Sequence, residues 1–309
     1  MEKPIIPIFY ACDDAFIKYT VVSLHSMIRN ASRDYQYRVY VLHTEASDAM
    51  KKAVMDLADD CFDISFVDVN EYLDSIADKL PVRDYYSKTT YYRLFIADMF
   101  PEYEKVLYID SDTVVRHDIS ELYNTELDNN ILGACPEEYV QNTPEFRIYA
   151  EKALGVDPTS YINAGVLLIN LDQFRKDDIE KKFIDLITEY DFDLLDPDQA
   201  YLNYLCRDKI CVLPNGWNKE PLPEACEGKK NIVHYALYKK PWQCDDVIDG
   251  DCFWNYAKKS PFYEVILQRK NSFTAEDAAE NEKMAKEILE HAIQIADSDY
   301  TFAKKLGRN

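Results

Sequence analysis

Apolar and polar positions follow two rhythms along the first two hundred residues. Ile5 to Cys12 is a short apolar run ending in Asp13-Asp14, and Ile17, Val21, Leu24 and Ile28 then recur at three- and four-residue intervals. The run reads as a buried strand and the recurrence as one face of a helix. Tyr37 to Leu42 predicts the next strand; Met50, Ala53, Val54 and Leu57 predict a second helix, and Ile64 to Val67 a third strand. Tyr91 to Met99 reads as helix, Lys105 to Ile109 as strand, and Gly165 to Leu171 as a further strand. Alternation of this kind predicts an α/β fold, a mixed and mostly parallel sheet flanked by helices. Ligands of such sheets gather beyond the C-terminal ends of the strands, where Asp13 and Asp110 both fall.

The character changes after residue 255. Glu276 to Ala296 is strongly charged, with Ala285, Leu289 and Ile293 as one stripe and Met284 and Ile288 beside it. This predicts an amphipathic helix packed on the main body. The expected division is therefore 1–255 as one α/β domain and 256–309 as a C-terminal helical extension.

Composition narrows the chemistry. A chain of 309 residues, 47% of them hydrophobic, can bury a full core. It has no apolar run of about 18 residues and no signal-peptide pattern, so the expectation is a soluble, cytoplasmic protein, at most peripheral to a membrane. Its eight cysteines contain no Cys-x-x-Cys pair, which gives no zinc or disulfide signature. A net charge of −21 argues against nucleic acid and against adhesion to anionic lipid. Only seven glycines occur, with no glycine-rich phosphate loop. A phosphate ligand would need a metal ion or side-chain cations.

Five places carry polar groups in apolar or aromatic surroundings. Val106-Leu107-Tyr108-Ile109 delivers Asp110 and Asp112 at the end of a strand, a spacing that invites a divalent cation or else a solvated loop. Tyr91-Tyr92-Arg93-Leu94 offers an arginine, read either as a salt bridge or as a partner for an anion. Asn163-Ala164-Gly165 enters a strand as Asp110 leaves one. In Asp196-Pro197-Asp198-Gln199, Asp198 reads by itself as a dipole partner in a helical first turn. His234 is followed by Lys239, Lys240 and Trp242, and a lone histidine is more often structural than a ligand.

In this order, the motifs resemble glycosyltransferase family 8, retaining nucleotide-sugar transferases that include glycogenin and bacterial lipopolysaccharide galactosyl- and glucosyltransferases. The resemblance runs from Ile8-Phe9-Tyr10-Ala11-Cys12-Asp13-Asp14 to Lys240-Pro241-Trp242 and covers about the first 255 residues. It implies a GT-A fold that uses Mn2+ or Mg2+, with a UDP-sugar as donor and a saccharide, glycolipid or glycoprotein as acceptor. By the same resemblance, Asp110, Asp112 and His234 would ligate the metal, and Lys240 and Arg93 would add positive charge near the diphosphate. Asp13 would accept from uracil, Asp112 also from a ribose hydroxyl, and Asn163, Asp198 and Gln199 would line the sugar. Because a neutral amide is a poor nucleophile, the expected route is front-face attack, with the Gln199 carbonyl beside the oxocarbenium-like centre.

The chain departs from the family at Ala15 and Phe16, where galactosyltransferases tend to carry Asn and Tyr, at Glu137, one methylene longer than Asp at their acidic position shortly after Gly-Ala, and at Leu237, where glycine is common. These leave glucose and galactose both open as the donor sugar. A second class also fits part of the chain. Asp110-Ser111-Asp112-Thr113-Val114 matches the nucleophile motif of haloacid-dehalogenase-type phosphatases, with Asp110 taking the phosphoryl group and Gly250 to Asn255 approximating a later acidic motif. That reading leaves His234, Lys240 and Asn163 unused. A non-catalytic sugar-nucleotide binder would retain UDP without turnover.

Overall fold

The computed structural model describes residues 3–74, 88–222 and 228–307. Seven strands form the main sheet: β1 Ile5–Ala11, β2 Gln36–His43, β3 Phe62–Asp68, β4 Lys105–Ile109, β6 Leu132–Pro136, β7 Ile162–Asn170 and β8 Ile210–Val212. Two more, β5 Thr113–Val115 and β9 Ile232–His234, form a separate two-stranded sheet. The main order is β3-β2-β1-β4-β7-β6-β8. Strands β3, β2, β1 and β4 run parallel, β7 runs antiparallel to β4 and β6, and β8 is parallel to β6. The architecture is the expected mixed, mostly parallel sheet, with β7 as its inversion.

Alternation along β4 explains why helices cover both faces. Val106 and Tyr108 enter one apolar core with Phe95, Phe183 and Tyr201. Leu107 and Ile109 point the other way, into a core with Ile17, Val21 and Leu24 of the helix Ile17–Asn30. Strands buried on both faces read as continuous apolar runs, as β1, β4 and β7 do. The helix Ile17–Asn30 also carries a polar stripe, and each of its hydroxyls meets a loop or strand group. Thr20 donates to Ser111 Oγ at 2.8 Å, Ser23 pairs with Thr113 Oγ1 at 2.7 Å, and Ser26 accepts from Val115 N at 2.8 Å.

Between Tyr91 and Met99 the chain is a 3-10 turn, Lys88–Leu94, followed by a short α-helix, Ile96–Met99, rather than one continuous helix. The helix Gly250–Ala257 crosses residue 255, and Phe253 and Ile266 pack around Trp242 and Tyr19. The charged stretch is indeed a helix, Ala275–Asp297, opened by a capping box of Thr274 and Asp277. Its buried seam is Ile288, Ala292, Ile295 and Ala296, whereas the expected Ala285, Leu289 and Ile293 lie half-buried at the flank. The helix packs on the Pro144–Leu154 segment, and Ile288, Ala292 and Ile295 join the core that holds Phe146, Tyr149 and Ala150. Among the described residues, no helix is long and apolar enough to cross a membrane.

Candidate active site

The C-terminal ends of β1 and β4 and the N-terminal end of β7 open onto one cavity of about 690 Å³. Asp13, Arg93, Asp110, Asp112, Asn163, Asp198, Gln199, His234 and Lys240 all line it. The inversion of β7 brings its start beside the end of β4: Ile109 faces Val166, and Asp110 N donates to Gly165 O at 2.7 Å. His234 arrives through the small sheet, where Thr113 pairs with it, and Tyr235 N donates to Asp112 O at 2.9 Å. Those two short contacts carry a residue more than a hundred positions away to the paired carboxylates.

Asp110, Asp112 and His234 each offer one ligand atom, and the three atoms lie within 4.8 Å of one another. His234 Nε2 is 3.2 Å from Asp112 Oδ1 and 3.8 Å from Asp110 Oδ2. Ligands about 2.1 Å from one octahedral cation and at right angles to each other are about 3 Å apart, so the cluster has the spacing and the donor set for a divalent ion. Gly165 makes room for it: a Cβ there would meet His234 Cε1 at 2.2 Å and Asp110 Oδ2 at 2.8 Å. Lys240 Nζ sits 2.6 Å from Asp112 Oδ2. Burial works against charge on Asp112, but Lys240 and His234 beside it hold its carboxyl well below the usual range.

Arg93 is buried rather than a surface group. Its Nη2 donates to Asp110 Oδ1 at 3.0 Å, its Nε lies 3.1 Å from Asp198 Oδ2, and its Nη1 donates to Ala164 O. The guanidinium also stacks 4.2 Å from the ring centre of Tyr108, whose hydroxyl donates to Asp110 at 2.8 Å. Burial opposes its charge, yet Asp110 and Asp198 keep it firmly protonated. Asp198 lies in the first turn of the helix Pro197–Cys206, as its sequence suggested, and spends its carboxylate on Arg93.

Beside the cluster, the cavity lining is built on main-chain donors of β7. Ala164 N donates to Gln199 Oε1 at 2.8 Å, and Gln199 Nε2 donates to Asp196 Oδ2 at 2.8 Å. The carbonyl expected beside the breaking bond thus already holds one N–H, and its second lone pair is left to the cavity. Gly165 N donates to Asn163 Oδ1 at 2.8 Å. Asp13 accepts from Phe16 N at 2.9 Å at the far rim, where Phe16 is exposed.

Among other groups in or near the cavity, Asp196, Asn218, Lys219 and Glu220 have no role assigned from the sequence, and Glu137 and Leu237 are marked there only as departures from the family. Asp196 also accepts from the hydroxyls of Tyr149 and Tyr161, and burial raises its carboxyl to about 7. Glu137 lines the cavity beside Glu220, with both carboxyls pushed up by burial. Asn218, Lys219 and Glu220 follow Trp217 with no periodicity that marks them, and all three are buried. Leu237 stands in the cavity wall with φ +58°, a left-handed backbone rare for a branched side chain.

The phosphatase alternative finds no support. Its later acidic segment forms the helix Gly250–Ala257, with Cys252 and Asn255 on a separate cavity beside Arg29 and Arg116. Asp110, its required nucleophile, is held by Arg93 and Tyr108.

A mixed sheet of this order, with paired carboxylates at the end of β4 and an imidazole across from them, defines a glycosyltransferase of the GT-A fold. The chain belongs to glycosyl transferase family 8, whose sequence model matches residues 7–246. A putative glycosyltransferase of Haemophilus influenzae is 30% identical over 285 residues, which cover 82% of this chain and 84% of that protein. The galactosyltransferase LgtC, solved with donor and acceptor sugar analogs, superposes with a TM-score of 0.70 at 27% identity, covering 83% of this chain and 96% of that one. The bifunctional glycosyltransferase WbbM superposes at 0.76 with 24% identity over 87% of this chain, a likeness of fold; the chain spans about half, 52%, of that protein.

Proposed function

We propose that this chain transfers a hexose, glucose or galactose, from a UDP-sugar to a saccharide, glycolipid or glycoprotein acceptor, with retention at the anomeric carbon. The observation that carries the reading is a three-ligand cluster and a run of polar amides lining a single cavity. Asp110, Asp112 and His234 would hold Mn2+, or Mg2+ in its place; one imidazole among carboxylates favours the softer ion. Bound there, the cation would supply positive charge to the donor diphosphate, charge that glycine-poor loops cannot give.

The side chains divide the remaining work. Lys240, anchored on Asp112, would offer its ammonium to the leaving diphosphate. Arg93 would act largely by holding Asp110 and Asp198 in place, since both carboxylates and Ala164 O already occupy it. Asp13 would accept from the uracil ring, Asp112 from a ribose hydroxyl, and Asn163, Asp198 and Gln199 would surround the hexose. Of the groups assigned to the hexose only Asp198 is a carboxylate, and it is tied to Arg93. Gln199 is a poor nucleophile, which favours front-face attack, the acceptor hydroxyl entering beside the departing phosphate. We take residues 1–255 as the transferase unit and 256–309 as a helical extension that buttresses it.

A donor screen for UDP release, with and without Mn2+, tests this. Turnover with UDP-glucose or UDP-galactose that requires the cation is expected. Turnover with neither donor would overturn the assignment.

A further inference from the structure

A run of buried amides joins the three-ligand cluster to the start of β7, and one backbone group sets its polarity. Gly165 N–H can only donate, so the atom it meets at 2.8 Å must be the oxygen of Asn163. That oxygen also faces an amide atom of Asn218 at 2.7 Å, which must therefore be the nitrogen, Nδ2. The oxygen of Asn218 then faces His234 Nδ1 at 2.9 Å, so Nδ1 carries the hydrogen. A neutral imidazole with its hydrogen on Nδ1 presents a lone pair at Nε2, the atom turned toward Asp110 and Asp112.

The same logic runs the other way. With its oxygen saturated by two donors, Asn163 has only N–H groups left to give. One goes to Glu220 Oε1 at 3.2 Å, and the same amide also serves Glu137, a carboxyl that lines the cavity. Glu220 is fixed in turn by Glu138 N, which donates to Oε2 at 2.7 Å. Asn163, Asn218, Glu220 and His234 are all buried, with Asn218 and Glu220 almost wholly shielded from water. Bulk water therefore does not scramble the chain of hydrogen bonds.

We propose that Asn218 is a positioning residue that couples the cation site to the sugar side of the cavity, fixing the ligating tautomer of His234 with its oxygen and the donor face of Asn163 with its nitrogen. Glu220 terminates the relay and holds Asn163 from behind. The inference rests on the reading of Asp110, Asp112 and His234 as metal ligands and of Asn163 as a sugar contact. An outer partner of this kind is worth about 10- to 100-fold in metal affinity.

Two substitutions separate the two arms of the relay. Asn218→Leu removes both hydrogen bonds. Asn218→Asp keeps an oxygen acceptor for His234 Nδ1–H but can no longer donate to Asn163 Oδ1. Mn2+ affinity is measured calorimetrically on the full chain, together with the affinities for UDP and for UDP-glucose and UDP-galactose, and with thermal melting. Asn218→Leu should weaken Mn2+ binding by about 10- to 100-fold. Asn218→Asp should keep Mn2+ and UDP affinity within a few-fold of wild type while losing the added affinity that the hexose brings over UDP alone. A structural role alone would lower the melting temperature of both without splitting metal from sugar. Wild-type Mn2+ binding by Asn218→Leu, in a protein whose Asp112→Asn variant binds none, would overturn the coupling alone. Absence of Mn2+ binding in the wild type would remove the parent reading and the coupling with it.

Discussion

Gly165 lies so close to His234 that a single methyl group would collide with the imidazole, 2.2 Å from Cε1, and with Asp110 Oδ2 at 2.8 Å. Gly165→Ala must therefore displace one of two proposed ligands, since neither is the loose end of a flexible chain. Misplacement by about 1 Å costs on the order of 100-fold in rate. The variant should fold, as judged by an unchanged far-UV circular dichroism spectrum, yet lose about that factor in UDP release together with its Mn2+ affinity. Wild-type activity in Gly165→Ala would remove the cluster from the mechanism.

The buried Asp196 predicts a pH dependence of stability. Its carboxyl titrates near 7 in the folded chain, raised by burial against the Tyr161 and Gln199 hydrogen bonds, with Asp198 and Glu137 adding repulsion. In the unfolded chain it titrates near 4. Between these values the folded state holds a proton that the unfolded state has released, so this group's contribution to stability declines as pH rises from about 4 to about 7 and is flat beyond. Melting temperatures across that window should fall more steeply in wild type than in Asp196→Asn, which keeps the neutral form throughout. Parallel curves would show that Asp196 is not the titrating group.

Lys219 and Glu138 form an ion pair at 2.7 Å with side chains only 6% and 4% exposed. Breaking one partner of such a pair strands the other, at a cost of about 3–5 kcal/mol. Lys219→Met should lower stability by that amount in urea unfolding. Lys219→Met combined with Glu138→Gln should recover most of it. A loss in the double variant equal to the sum of the losses in Lys219→Met and Glu138→Gln alone would mean that the pair carries no coupling.

Leu237 occupies left-handed backbone at φ +58° in the cavity wall. Glycine adopts this region freely, and a β-branched side chain is worst there. Leu237→Gly should melt at or slightly above the wild-type temperature, because relief of strain offsets the added freedom of the unfolded chain. Leu237→Val should melt lower, because branching at Cβ crowds this backbone further. The reverse order would show that Leu237 is held by its side-chain packing instead.

Much of the architecture was legible because long apolar runs and helical periodicity are local signals. β1, β2, β3, β4 and the helix Ile17–Asn30 follow from them. β5, β8 and β9 were not legible, since each has only three residues and exists through its partner. The proximity of His234 to Asp112 depends on that pairing of β5 with β9, so only the family resemblance brought it forward. Asp196, Asn218 and Glu220 escaped for another reason. Their significance comes from being buried among specific donors, and a single polar residue carries no mark of its eventual burial. Arg93 shows the same effect in reverse: the residue was conspicuous, but its commitment to Asp110, Asp198 and Ala164 depends on tertiary geometry.

The reversed direction of β7 has an evolutionary consequence. Two side-chain amides, those of Gln199 and Asn163, take their orientation from main-chain N–H groups at Ala164 and Gly165, which every residue except proline provides. The N–H that aims Gln199 therefore does not depend on the side chain at 164, whereas Gly165 is fixed separately by the nearness of His234 and Asp110. A lineage could change the side chains that meet the sugar while inheriting the same aim, exploring new donors on a scaffold whose polarity stays constant.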